Sequence, residues 1–202
     1  MPEEMWRTFI GIELDRPLRS ALAKIQEQFK RQMPPGSVRW VEPEGIHLTL
    51  KFLGDTAPAR VRAIEAGLQR ACAGFERFEF TVEGRGCFPN TRRPRVVWVA
   101  VRDKGQNLMR LSAAVEREVA PLGWPTEERA FSPHLTLGRV GRGVSGRDEE
   151  AVGKAVEASV VEQIGRQPVT GISLIRSELH PNGASYSRLL TVPLVALNEQ
   201  GA

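Results

Sequence analysis

The chain has 202 residues, of which 41% are hydrophobic and 26% are charged. This composition excludes a disordered chain and a small scaffold that needs disulfides or a metal to fold. A net charge of +4 and a sequence pI near 9.5 suit a polyanionic partner without requiring one. We expect a single domain over 1–202, made of two intimately packed lobes.

No apolar run approaches the ~20 residues that a membrane-spanning helix needs, and the first residues do not have the pattern of a signal peptide. We therefore expect a cytoplasmic protein that makes no contact with membranes. The two cysteines, Cys72 and Cys87, lack the spacing of metal ligands and are expected to be reduced, partly buried thiols.

Hydrophobic periodicity predicts strands and helices in mixed order. In the first half it predicts a strand at 7–14, a helix at 17–32, a strand at 46–53, a helix at 58–73, a strand at 78–82, a loop at 83–95 and a strand at 96–101. In the second half it predicts a helix at 107–122, a strand at 135–140, a helix at 148–164 and strands at 169–179 and 186–194. This order lacks strict βαβ alternation, which favours an α+β fold with largely antiparallel sheets.

Two of the chain's three histidines begin the same tetrapeptide, His-Leu-Thr-Leu, which starts at His47 and again at His134. From the leucine and threonine content of the chain, a histidine precedes this tripeptide by chance on the order of once in thousands of trials. A single copy is best interpreted as a half-buried polar residue on a strand. The repetition favours a functional pair.

Side chains alternate between the two faces of a strand. We therefore expect His47 and Thr49 to share one face, with Leu48, Leu50 and Phe52 packed against the core on the other. The second copy has the same pattern. If the two strands come from two related halves, both imidazoles face one cleft and form an acid–base pair.

The residues around these motifs resemble the 2H phosphoesterase superfamily, and within it the LigT-like RNA 2′,3′-cyclic phosphodiesterases, whose signature is two His-x-Thr-x motifs. The matching segments cover nearly the whole chain and lie at 7–10, 40–54, 88–98, 131–139 and 177–186. The resemblance implies a bilobal, pseudo-twofold α+β fold in which each lobe has a largely antiparallel sheet with outer helices. It also implies that the two lobes are intertwined in one domain, and that no metal and no cofactor is needed.

The activity that the resemblance implies is hydrolysis of RNA ending in a 2′,3′-cyclic phosphate. This reaction needs a base to deprotonate water and an acid to protonate the leaving ribose oxygen. Imidazole has a pKa of about 6.5 and serves in both roles near neutral pH. The near-identical motifs do not distinguish the roles, but the resemblance implies His47 as the acid toward O3′ and His134 as the base, which leaves a 2′-phosphate.

The negative charge of the phosphate also has to be stabilised. The hydroxyls of Thr49 and Thr136 are on the histidine faces and can donate to nonbridging oxygens. Arg139 is a candidate phosphate clamp at a position that matches the family. Strict alternation puts Arg139 on the face opposite His134, so this role requires a bulge, which Gly138 permits.

Five further residues are candidates for contact with RNA. Arg92 and Arg93 lie in a predicted loop, where cations hold RNA phosphates or are simply solvated. Phe9 or Trp40 can stack a base if the cleft exposes them. Tyr186 is the only tyrosine and lies at a position that matches the family.

Two alternatives stay open at this point. The same site can run in reverse, as a 2′-5′ RNA ligase, or the chain can be a noncatalytic module that binds RNA ends. A dinucleotide-binding fingerprint at Gly141, Gly143 and Gly146 is disfavoured, because no series of βαβ units follows it and acidic residues begin the next helix. The expected partner is RNA with 2′,3′-cyclic phosphate ends, bound by a monomer.

Overall fold

The computed structural model describes residues 4–180 and 183–196. In this part of the chain, nine strands and four α-helices follow one another in this order: β1 Trp6–Glu13, α1 Arg16–Gln32, β2 Val38–Trp40, β3 His47–Thr56, α2 Val61–Cys72, β4 Phe78–Phe88, β5 Val96–Arg102, α3 Asn107–Val119, β6 His134–Val140, α4 Gly146–Ala158, β7 Gly165–Val169, β8 Gly171–His180 and β9 Gly183–Pro193. None of the described helices is long and apolar enough to cross a bilayer.

The strands form two sheets, in the orders β3-β1-β8-β9 and β2-β6-β5-β4-β7, and neighbouring strands are antiparallel. This arrangement confirms the predicted α+β fold with two lobes. The strands that carry the two histidine motifs, β3 and β6, lie in different sheets and contact each other. The two motifs are therefore brought together where the sheets meet.

Each sheet takes strands from both halves of the sequence. The C-terminal strands β8 and β9 complete the sheet that β1 and β3 begin. Strands β2, β4 and β5 come from the first half but lie in the second sheet together with β6 and β7. Neither sheet can therefore form from one half of the chain alone.

The helices bury one apolar side each against the sheets, as amphipathic helices do. Asp15 caps the N-terminus of α1, because its side chain accepts a hydrogen bond from the backbone N–H of Leu18 at 2.9 Å, and the helix buries Leu22 and Phe29. In α2 and α3 the buried side chains include Ile64 and Leu111. The helices thus stabilise the sheets by covering their apolar faces.

Two predicted boundaries are wrong. Strand β4 continues to Phe88 through the predicted loop, because Gly84, at φ +73°, allows the irregular pairing between Val82 and Arg85. Helix α4 ends at Ala158, well before 164, because the next segment is extended and pairs with β4. The extension of β4 matters for function, since it carries Phe88 to one of the two histidines.

Candidate active site

A bulge in β6 brings Arg139 onto the face that carries His134 and Thr136. The pairing of β6 with β5 skips Leu137, which is an extra residue between Thr136 and Gly138. The alternation therefore shifts by one residue, so that Gly138 is buried and Arg139 is exposed. This is the irregularity that a role for Arg139 in the cleft requires.

Strand β3 has the same irregularity at the equivalent point. Its pairing with β1 skips Leu50, and the order of buried and exposed side chains along β3 then repeats that along β6. Phe52 consequently lies on the face of His47 and Thr49, with 55% of its surface exposed. The prediction that Phe52 packs against the core beside Leu48 is wrong.

Both histidines are held by the backbone in the same way. Nδ1 of His47 lies 2.7 Å from the carbonyl oxygen of Gly45, and Nδ1 of His134 lies 2.7 Å from that of Ser132. A carbonyl oxygen only accepts hydrogen bonds, so each Nδ1 carries a proton and donates it. In the neutral rings Nε2 is then the unprotonated nitrogen, which is free to act as a base or, once protonated, as an acid.

Aromatic rings fix the position of His47. Phe9 stacks on it with the ring centroids 4.3 Å apart, and Tyr186 meets it edge-on at 5.0 Å. The Phe9 ring lies over Gly11, where an added Cβ would meet the ring at 3.3 Å and the carbonyl oxygen of Leu48 at 2.8 Å. Phe9 is only 2% exposed, so it supports His47 and has no free face for a base.

His134 has an equivalent but different support. Phe88 meets it edge-on with the centroids 4.8 Å apart, and Trp98 lies 6.3 Å away. The Trp98 ring lies flat over Gly86, where any Cβ would overlap it. Sequence reasoning missed Phe88 and Trp98 as neighbours of His134. Glycines within strands, such as Gly11 near Phe9 and Gly86 opposite Trp98, indicate a close approach of another group and were the available signal for these aromatic neighbours.

The surroundings lower the pKa of both imidazoles. Burial is the main cause at His47, whose pKa falls to about 4, and the Arg139 guanidinium and His134 lower it further. The hydrogen bond to Gly45 and the Glu13 carboxylate act in the opposite direction but do not compensate. The pKa of His134 is also lowered, first by burial and then by Arg139. Both rings are therefore neutral at pH 7 in the free protein.

Arg39 is a cation of the cleft that sequence reasoning missed. It pairs directly with Arg139 across β2 and β6, so the two side chains lie on the same face, and both are exposed. Neither forms an ion pair within the described residues. Like charges directly opposite each other repel, and an anion between them removes that cost. Arg39 could not be predicted as a site residue because β2 has only three residues, too few to show the alternation of a strand.

The remaining predicted phosphate ligands also face the cleft. Thr49 and Thr136 are half-buried beside the histidines, and neither hydroxyl has a hydrogen-bond partner among residues 4–180 and 183–196. Tyr186 has 36% of its surface exposed, and burial of the rest raises the pKa of its phenol. These hydroxyls are therefore available to a ligand as donors.

Three candidates for RNA contact lie elsewhere. Trp40 is on the opposite face of the second sheet, stacked on Phe29 of α1 at 6.4 Å, so it does not reach the cleft. Arg92 and Arg93 are exposed in a turn, where their backbone N–H groups both donate to Asn90 Oδ1 at 3.0 Å. This turn follows Phe88, which contacts His134. Their contact with RNA stays a prediction.

No group of three possible metal ligands from His, Cys, Asp and Glu occurs in the described part of the chain. In both histidines Nδ1 is already hydrogen-bonded to a backbone carbonyl oxygen.

Comparison with known proteins identifies the repeat. The family model described as "LigT like Phosphoesterase" matches the chain twice, over residues 12–98 and 99–186. An RNA 2′,3′-cyclic phosphodiesterase of Methanothermobacter thermautotrophicus is 37% identical over 183 residues, which cover 90% of this chain and 95% of that protein. The protein of the same name from Archaeoglobus fulgidus is 33% identical over 183 residues, with 91% and 97% covered.

Solved structures share the fold. A crystal structure from Thermus thermophilus has a TM-score of 0.75 and 28% identity, covering 93% of this chain and 97% of that one. E. coli LigT, crystallised with 3′-AMP, has a TM-score of 0.74 at 24% identity, covering 95% and 99%. With both repeats matched and relatives above 30% identity over almost its full length, the chain belongs to the family of LigT-like phosphoesterases.

Proposed function

We propose that this chain is an RNA 2′,3′-cyclic phosphodiesterase that opens a terminal cyclic phosphate to a 2′-phosphomonoester without a metal. The observation that carries the proposal is the pair of histidines at equivalent points of two repeats, each with Nδ1 held by a backbone carbonyl and Nε2 free. The names of the relatives support the same substrate.

In the proposed reaction, Nε2 of His134 removes a proton from water while the water oxygen attacks phosphorus. The bond from phosphorus to O3′ breaks, and O3′ takes a proton from Nε2 of His47. The products are a 2′-phosphate and a free 3′-hydroxyl, with the proton taken from water now on His134. Exchange with solvent returns both rings to their starting states.

The charge of the transition state falls on the nonbridging oxygens. Thr49 and Thr136 have hydroxyls beside the two rings without competing partners in the described residues, which leaves them to donate to these oxygens. Arg139 offers a guanidinium on the same face, and Arg39 lies opposite it. An anion between the two arginines relieves their mutual repulsion, so binding of phosphate is favoured over the empty site.

Binding of the substrate also favours protonation of one of the two imidazoles. In the free protein the pKa of each histidine lies below its ordinary value, and both rings are neutral at pH 7. A bound phosphate anion raises both pKa values, because an opposite charge favours the imidazolium. The active complex therefore takes up one proton as the anion binds.

We further infer one domain over the whole chain, because each sheet needs strands from both halves. Both histidines, both threonines and Arg139 come from one chain, so a monomer contains the complete set of proposed catalytic groups.

The decisive experiment uses an RNA oligonucleotide ending in a 2′,3′-cyclic phosphate, incubated with the protein and excess EDTA. We expect hydrolysis to a 2′-phosphate, identified by chromatography against both monoesters. Loss of activity with EDTA contradicts metal independence, and a 3′-phosphate product reverses the assigned leaving group. An oligonucleotide that stays bound and uncleaved indicates a noncatalytic module. Adding an RNA with a 5′-hydroxyl and testing for a 2′,5′ linkage measures the reverse reaction.

A further inference from the structure

The bulges in β6 and β3 are each bound by a buried side chain from a helix. In β6 the extra residue is Leu137, whose carbonyl oxygen accepts a hydrogen bond from Nε2 of Gln26 on α1 at 2.9 Å. In β3 the extra residue is Leu50, whose carbonyl oxygen accepts from Oγ of Ser112 on α3 at 3.3 Å. Both donor side chains are buried. A glutamine and a serine thus make the same kind of contact in the two lobes.

The two contacts cross between the repeats. Gln26 lies in the first repeat, 12–98, and binds the histidine strand of the second. Ser112 lies in the second repeat, 99–186, and binds the histidine strand of the first. The helices α1 and α3 occupy equivalent places, because each precedes the histidine strand of its own repeat. Each repeat therefore binds the strand irregularity of the other.

We propose that Gln26 is a positioning residue for the phosphate site, which turns Arg139 to the cleft by holding the bulge of β6. This inference rests on the proposed function, since it gives Gln26 a part in binding the phosphate of that substrate. Without the bulge, alternation would put Arg139 on the face opposite His134 and Thr136. The side chain that stabilises the bulge therefore determines which face carries the guanidinium.

A second hydrogen bond of Gln26 extends this effect to Arg39. Nε2 also donates to the carbonyl oxygen of Val41 at 2.7 Å, and the backbone N–H of Val41 donates to the carbonyl oxygen of Leu137 at 2.9 Å. Val41 directly follows β2, so the amide joins the end of β2 to the bulge of β6. Arg39 and Arg139 are paired across these two strands. One buried amide thus fixes the register that puts both cations on the cleft face.

The burial of Gln26 supports a role for its hydrogen bonds. The side chain is 2% exposed and shares the buried side of α1 with Leu22 and Phe29. A buried amide costs free energy unless it is hydrogen-bonded, and an apolar side chain of similar size avoids that cost. Both hydrogen bonds of Nε2 end on carbonyl oxygens of the irregular segment. What the amide adds over a hydrocarbon is therefore the fixed geometry of this segment.

The test uses Gln26→Met, which keeps the length of the side chain and removes both donors. We expect NMR titration to show a raised pKa for His47 and His134, as in Arg139→Gln, because the guanidinium that lowers both values is displaced. The Kd for inorganic phosphate and the KM for RNA with a 2′,3′-cyclic phosphate should rise roughly 3- to 30-fold, with little change in kcat. In the Arg139→Gln background, Gln26→Met should change none of these values further.

Gln26→Glu is the second variant and has the same shape. Burial beside two carbonyl oxygens raises the pKa of the new carboxyl group and keeps it neutral, so it donates to one of them. Its effects should lie between those of the wild type and Gln26→Met. Gln167→Met is the matched control, because Gln167 is a buried glutamine that binds the backbone of Asp15 and Pro168 from β7, a strand separated from β6 by β5 and β4. It should lose stability but keep the histidine pKa values and the Kd for phosphate.

Failure of this inference differs from failure of the proposed function. A Gln26→Met protein that is less stable but has unchanged histidine pKa values and an unchanged Kd for phosphate overturns the positioning role. An equal effect of Gln26→Met in the wild-type and Arg139→Gln backgrounds also overturns it. If the wild-type protein does not cleave the RNA, the proposed function is wrong. The histidine titrations need neither substrate nor activity, so they decide the role of Gln26 in that case as well.

Discussion

His47 donates Nδ1–H to the carbonyl oxygen of Gly45, two residues before it, over 2.7 Å. His134 makes the same bond to Ser132 at the same distance. Each repeat thus sets both the rotation and the tautomer of its histidine with a main-chain group, which no side-chain substitution removes directly. Replacing the imidazole itself is therefore the direct way to test its chemical role.

We therefore expect His47→Gln and His134→Gln each to lower the single-turnover rate by about 100- to 10,000-fold, the usual contribution of a general acid or base. The double variant should be little slower than either single one, since the two groups act as a unit. Circular dichroism should show an unchanged fold, and His180→Gln, at an exposed residue on β8, should keep full activity. Near-normal cleavage by either single variant refutes the pairing.

The histidine pair was predictable because its signal is local and repeated, whereas the neighbours of the pair depend on contacts that are distant in sequence. Lys51 is buried and Phe52 is exposed, the reverse of what a charged and an aromatic side chain predict. Lys51 is 4% exposed because it pairs with Glu116 at 2.9 Å and donates to the carbonyl oxygen of Pro125 at 2.6 Å. Alternation gives no indication of a bulge that depends on such partners.

The pH dependence of the reaction follows from the lowered histidine pKa values. In the proposed mechanism only the form with one protonated ring is active, and in the free protein that form is lost as pH rises above the pKa of His134, which burial lowers from its ordinary value of 6.5. We expect kcat/KM to fall on the alkaline side from below pH 6.5. The profile of kcat should lie at higher pH, because the bound anion raises both pKa values. Coincident profiles would contradict this coupling.

Arg139→Gln should raise the pKa of both histidines, because the guanidinium lowers both in the wild type. NMR titration of the imidazole protons measures the shift directly. The same variant should raise KM and reduce the slope of log affinity against log salt concentration by about 0.7, as expected for one lost phosphate contact on single-stranded RNA.

Arg39→Gln is the matched variant on β2. It should reduce the salt slope similarly, but His47 should keep its pKa, since Arg39 is not among the charges that shift it. If both variants leave the salt slope unchanged, the arginine pair does not bind phosphate.

Acid stability should depend on His47. In the unfolded chain its pKa is about 6.5, and in the folded protein it is about 4. Between these values the unfolded state binds a proton that the folded state does not, so stability is lost as pH falls through this window. The loss reaches roughly 3 kcal/mol near the lower end. Urea denaturation of the wild type and His47→Gln across the window should show their difference in unfolding free energy changing by that amount. His180→Gln should track the wild type.

Gly11 should tolerate no side chain. In Gly11→Ala the Cβ would lie 2.8 Å from the carbonyl oxygen of Leu48, which is fixed in the strand pair, and 3.3 Å from the Phe9 ring. The overlap should lower the free energy of unfolding by about 1–3 kcal/mol, as overpacking does. Because Phe9 must also shift away from His47, kcat should fall more than KM rises. Gly74→Ala adds a Cβ with nothing within 4 Å and should change stability by less than about 0.5 kcal/mol. If Gly11→Ala loses stability but keeps kcat, contact with Phe9 does not position the histidine.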